Sequence, residues 1–172
     1  MKIFAALLTI LILSGAIPVQ EMSPSLWKKA NKKLDLIFKD QIITKRSLEL
    51  SEAELTNNRK QFVTKGIYQL FCSNVSLGYL VFMTSMGRYE SFEYIIVYSP
   101  ELSVKSIDIL EYNSSHGGEI ASQKWLKQFV GYDGKPLKYG SDIDAVSGAT
   151  YSATSLVKDV ESVTLFMKKI EK

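Results

Sequence analysis

The feature that most constrains this 172-residue chain is a change in hydrophobic period at Phe62. Downstream of it, four segments rich in aliphatic and aromatic residues read as strands: Gly66 to Phe71, Gly78 to Thr84, Phe92 to Tyr98 and Val104 to Tyr112. Asn74 to Leu77, Met86-Gly87-Arg88 and Ser99-Pro100 lie between them and read as turns, too short for the crossover helix that a parallel pair requires. The expected sheet is therefore an antiparallel meander. With helical patterns before and after it, the fold class is α+β, an antiparallel sheet with flanking helices.

Upstream, Ser23-Pro24 suits the N-cap and first turn of a helix, and Trp27, Ala30, Leu34, Ile37 and Phe38 follow at helical spacing. Lys28, Lys29, Lys32 and Lys33 fill the other face. Such a helix packs on the core; a place on a membrane surface is the alternative. Ser51-Glu52-Ala53-Glu54 is a capping box, with Leu50 and Leu55 as its hydrophobic staple, for a helix ending near Asn57-Asn58. Beyond the strands come a polar loop from Asn113 to Glu119, a short helix with Trp125, Leu126 and Phe129, and a turn from Gly131 to Gly134.

The first 16 residues have the form of a secretory signal. Lys2 precedes an apolar run from Ile3 to Leu13, and Ser14 and Ala16 are the small residues at the −3 and −1 positions for cleavage. The run is shorter than the ~20 residues that comfortably span a bilayer. An uncleaved anchor is the rival reading. The expected organisation is a signal over 1–16, an N-terminal helical segment over 17–60 and one domain over 61–172.

Composition narrows the function classes. Hydrophobic content of 46% with 23% charged residues is that of a globular chain with one core. A net charge of +3, dispersed and without a basic run interleaved with aromatics, argues against a nucleic-acid partner. Cys72 is the only cysteine, so no internal disulfide forms, and it reads as a small buried hydrophobe. No metal-ligand spacing, nucleophile elbow or Rossmann glycine pattern stands out, and no catalytic or metal-binding residue is assigned.

The chemistry is concentrated in Asp144-Ala145-Val146-Ser147-Gly148-Ala149-Thr150-Tyr151-Ser152. Gly148 permits positive φ and close approach of a ligand to backbone. Leu156, Val160, Val163 and Met167 then lie roughly on one helical face, so the motif opens a helix. The N-terminus of that helix offers unpaired N–H groups to an anion held at Gly148, Ala149 and Thr150, and the Ser147 and Ser152 hydroxyls are further donors. The alternative is an ordinary capping loop, with Ser147, Thr150 or Ser152 as N-cap.

This nonapeptide resembles the signature at which members of the FMN-binding domain family carry covalent flavin. The resemblance extends over roughly Gly66 to Val163, although only the final motif is specific. It implies an FMN-binding-domain-like fold. It also implies FMN joined by a phosphoester to the Thr150 hydroxyl, installed by a separate flavin transferase that reads a pattern including Asp144. The family includes periplasmic subunits of membrane redox pumps and flavin modules of extracytoplasmic reductases.

By the resemblance this chain is an exported, periplasmic electron-transfer flavoprotein rather than a stand-alone enzyme. Its partner is a redox protein, such as a membrane oxidoreductase complex. A small flavin-dependent reductase and a non-redox envelope binding module are the alternatives. Where the family loop commonly reads glutamate, threonine, proline, glycine, this chain has His116-Gly117-Gly118-Glu119, so His116 and Glu119 are the candidate contacts to the flavin from that loop. Trp125 reads as packing on the sheet, with flavin contact as its alternative, and Tyr151 as a shield for the link.

Overall fold

The chain was analysed as a computed structural model, in which residues 22–51, Glu54 and 63–171 are described. The signal sequence and most of the helix expected after Ser51 lie outside these residues. The capping box itself is closed: Ser51 N–H donates to Glu54 Oε2 at 2.8 Å and Glu54 N–H returns to Ser51 Oγ at 3.3 Å.

Helix α1 spans Pro24–Ile37 and starts as its sequence requires. Ser23 Oγ accepts from Leu26 N–H, and Pro24 occupies a first-turn position where a missing N–H costs nothing. Five strands follow: β1 Thr44–Ser47, β2 Val63–Cys72, β3 Val75–Met86, β4 Ser91–Tyr98 and β5 Val104–Glu111. They pair antiparallel in sequential order, which is the expected meander with one strand more than expected at its β1 edge. All four residues of β1 are exposed. A segment of that kind has no alternation to betray it, and its pairing with β2 alone makes it a strand.

The turn between β2 and β3 is tighter than expected. Ser73 and Asn74 both have positive φ, 46° and 70°, and β3 begins at Val75 rather than after Leu77. Left-handed backbone at both central residues matches the twist of the strands and permits a two-residue hairpin. Cys72, at the end of β2, is half-buried rather than a core residue.

Beyond β5 come a 3₁₀ turn at Gly118–Ala121, a short helix α2 at Gln123–Leu126, a second 3₁₀ turn at Lys127–Phe129, and a 21-residue helix α3 at Thr150–Ile170. The sheet is buried on both faces, and β3 and β4 show why. Tyr79, Val81, Met83, Phe92, Tyr94, Ile96 and Tyr98 project to one side, against Leu156, Val160, Val163 and Met167 of α3 and the aromatic pair Trp125 and Phe129. Leu80, Phe82, Ile95 and Val97 project to the other, against Leu26, Ala30 and Leu34 of α1. This alternation sandwiches the sheet between helices. No helix among the described residues is long and apolar enough to cross a membrane.

Not all of the α1 lysines are solvated. Lys29 pairs with Glu111 at 2.8 Å and Lys33 with Asp108 at 2.6 Å, which fastens the helix along β5. Their spacing of four puts both on one flank of the helix, one turn apart.

Candidate functional site

Helix α3 begins at Thr150, directly behind the motif, and its start is uncapped. Ala149 occupies the N-cap position and has no side-chain acceptor to offer. Ala153 N–H makes the first helical bond back to the Ala149 carbonyl, at 2.8 Å. The amides of Thr150, Tyr151 and Ser152 find no acceptor among the described residues. The capping-loop reading is thereby corrected: neither Ser147, Thr150 nor Ser152 caps this helix.

The loop leading to that terminus is tightly held from within. Ile143 and Val146 are buried at 1% and 5% exposure, and Ala149 is buried behind them. Trp125 Nε1 donates to the Asp144 carbonyl at 2.8 Å, and Asp144 N–H donates to Gln128 Oε1 at 2.9 Å. Val146 N–H donates to the Tyr139 hydroxyl at 2.8 Å. Ala149 N–H closes a turn onto the Val146 carbonyl at 3.2 Å, with Gly148 inside it at φ 73°. A side chain at that φ would be strained, which is why glycine stands there. These anchors leave Asp144, Ser147, Gly148, Thr150 and Tyr151 exposed.

Ser152 differs from its neighbours. It is 4% exposed, and its hydroxyl faces the Tyr112 hydroxyl at 3.3 Å. Its amide, rather than its side chain, therefore belongs to the exposed terminus. The same Tyr112 hydroxyl donates to the His116 carbonyl at 3.0 Å, so Tyr112 ties the glycine loop to the first turn of α3. The tie brings the two glycine segments together. A Cβ on Gly117 would fall 2.3 Å from Ala149 Cβ, and one on Gly148 would lie 3.9 Å from His116 Cβ. Gly117 itself has φ 70°. Backbone thus meets backbone where the loop crosses the motif, a closeness open only to residues without a side chain.

His116 sits at this crossing with its ring exposed and Nδ1 2.9 Å from Ser115 Oγ. Glu119, exposed, is the second residue of the 3₁₀ turn, two glycines beyond His116. Trp125 is 5% exposed and meets Phe129 edge to face at 5.4 Å, so it is a core residue that also supports the motif through Asp144.

Three residues were not legible as site residues. Tyr112 looked like the end of a strand, and Gly87 and Arg88 like an ordinary turn. The β3–β4 turn in fact rests on α3, since a Cβ on Gly87 would lie 2.8 Å from Ser152 Oγ. A glycine in a hairpin gives no sequence sign of what it touches.

An exposed hydroxyl at the first residue of an uncapped helix, ringed by glycine backbone, suits a phosphate or its ester. Residues 89–164 match the FMN-binding domain family model, running from the β3–β4 turn to α3 and including the motif. That stretch of the chain is therefore similar to FMN-binding domains. Among solved structures, the chain is similar to NqrC of Shewanella oneidensis, with 16% identity over 83% of this chain and 89% of that one and a TM-score of 0.49. No curated protein sequence matches it.

Proposed function

We propose that this chain is an exported flavoprotein carrying FMN as a phosphoester on Thr150, and that it passes electrons between redox proteins. The observation that carries this reading is the position of Thr150. It is exposed, it is the first residue of the uncapped helix α3, and it lies inside the stretch that matches the FMN-binding domain family.

Magnitude explains why a covalent link is useful at such a site. A helix N-terminus is worth only ~0.3–2 kcal/mol to a bound anion. Micromolar retention of a free cofactor requires about 8 kcal/mol. An ester to Thr150 Oγ1 removes the need for that affinity and leaves a monoanionic phosphodiester. The amides of Thr150, Tyr151 and Ser152 then serve to orient that anion, with the Ser147 hydroxyl as a further donor. Gly148 and Ala149 keep the approach to it narrow in side chains and open to the ligand. His116, whose Cβ lies beside Gly148, and Glu119 of the same loop are candidate contacts for the flavin.

FMN, when bound, supplies reversible electron chemistry, and the protein's part is to place and expose it. A carrier needs no substrate pocket and no general acid or base. The exposed Asp144 is suited to recognition by a flavin transferase, because its backbone is fixed by Trp125 and Gln128 while its carboxylate remains free to be read. The secretory pattern of residues 1–16 supports a periplasmic location. The redox partner is then a protein on that side of the membrane, such as a membrane oxidoreductase complex.

Co-expression with a flavin transferase tests the proposal by intact mass and visible spectrum. The expected result is a yellow protein with the added mass of FMN less water, both lost in Thr150→Ala while the fold is retained. A wild type that stays colourless and unmodified overturns it.

A further inference from the structure

The β3–β4 turn carries side chains that stand outside both core clusters. Gly87 N–H donates to the Glu90 carbonyl at 2.8 Å, which closes the turn over the first turn of α3. From it, the Arg88 guanidinium lies over two tyrosine rings, 5.1 Å from the centroid of Tyr89 and 5.8 Å from that of Tyr151. Tyr89 is 81% exposed and Tyr151 63%. Arg88 has no carboxylate partner among the described residues. Packing does not account for two such exposed rings tied together by a cation, since neither enters the core. One of them is the residue directly after Thr150.

We propose that Tyr89, Arg88 and Tyr151 form the platform on which the isoalloxazine ring of FMN rests, which presupposes the attachment at Thr150. Each part suits that ligand. The oxidised flavin ring is planar and electron-poor, and a phenol offers it an electron-rich face in an offset or edge-on contact. Arg88 uses cation–π contacts to hold the two rings in relation to each other, so the platform is set before the ligand arrives. The guanidinium also keeps its N–H donors free for the ring's carbonyl and nitrogen edge, where negative charge gathers on reduction. A fixed positive charge there stabilises the reduced flavin over the oxidised one. Arg88 acts as a positioning residue toward the tyrosines and as a tuning charge toward the ring.

The test uses the full chain matured with a flavin transferase, as wild type, as the double variant Tyr89→Phe with Tyr151→Phe, and as Arg88→Met. Phenylalanine keeps the ring's shape but donates an electron to excited flavin far less readily than tyrosine does. Intact mass should show the same FMN load in all three proteins. The wild-type flavin should be weakly fluorescent, the double variant should emit severalfold more strongly with a longer lifetime, and Arg88→Met should have a more negative reduction potential. Equal lifetimes in fully loaded wild type and double variant overturn the platform, and an unchanged potential in Arg88→Met overturns the role of the arginine. If the wild type gains no FMN mass, the attachment at Thr150 and the platform fall together.

Discussion

The two faces of the sheet are built differently. On the α1 face, the charged groups near the core are paired. Asp108, 3% exposed, receives Lys33 at 2.6 Å, the Ser106 hydroxyl at 2.8 Å and, around the β5 edge, the Gln123 amide at 2.7 Å. On the α3 face, Tyr98 and Thr164 satisfy each other at 2.8 Å, but Asp159 approaches the buried Ser85 and Tyr94 hydroxyls without either reaching hydrogen-bond geometry. Burial pushes the Asp159 carboxyl up to about 6. The same helix begins with three amides that have no acceptor among the described residues. Unmet polar groups thus gather on the face of the sheet that α3 covers, while the opposite face is closed, as expected where one side of a fold serves as support and the other as a site.

The largest effect should come from the closed face. Phe82, 1% exposed, meets Trp27 edge to face at 4.8 Å in the heart of the α1 layer. Phe82→Ala should cost ~3–5 kcal/mol in a urea titration. A loss below about 1 kcal/mol would show that α1 is not part of the cooperative unit.

Asp159→Asn sharpens the contrast with an effect of opposite sign. With its folded pKa raised above the ordinary value, wild-type Asp159 binds its proton more tightly in the native state. Its contribution therefore falls as the pH rises from about 4 to about 6 and is flat above that. The penalty at neutral pH is of the order of 2–3 kcal/mol. The variant should be more stable than wild type at pH 7, with the gap shrinking toward pH 4. Parallel stability curves for the two proteins would refute the assignment.

Gly117→Ala probes the crossing beneath the site. The new methyl would meet Ala149 Cβ, and the residue would keep a φ near 70°. The expected loss is about 1–2 kcal/mol, from strain and from the loop lifting off the motif. Reduced FMN loading should accompany it. Undiminished stability and loading together would mean that the two glycine loops need not touch.

Much of the fold was legible because its signals are local. The apolar runs from Gly66 to Tyr112 send alternate residues to two helix-covered faces; β2, β3 and β4 extend the expected strands by one to three residues at an end, and β5 stops one residue short. Ser23-Pro24 and Ser51 with Glu54 announce their caps within four residues of chain. The features that were missed depend on distant neighbours. β1 is a strand only because β2 lies beside it. Lys29 and Lys33 read only as part of the face of α1 opposite its apolar residues, and they are the fastening to β5. Ser152 looked like a free hydroxyl and is buried against Tyr112.

The site divides along the same line. Sequence by itself determined that a glycine-containing motif would open the last helix, because hydrophobic period and glycine's freedom at positive φ act within a few residues. It also pointed to His116 and Glu119 as the loop residues to watch. Only the tertiary structure decided that Ala149 leaves the helix uncapped, that Gly117 bears on Ala149, and that Arg88 and Tyr89 stand beside Tyr151. These are contacts between segments far apart in the chain, and their positions are set by how the meander and α3 pack, which no local pattern encodes.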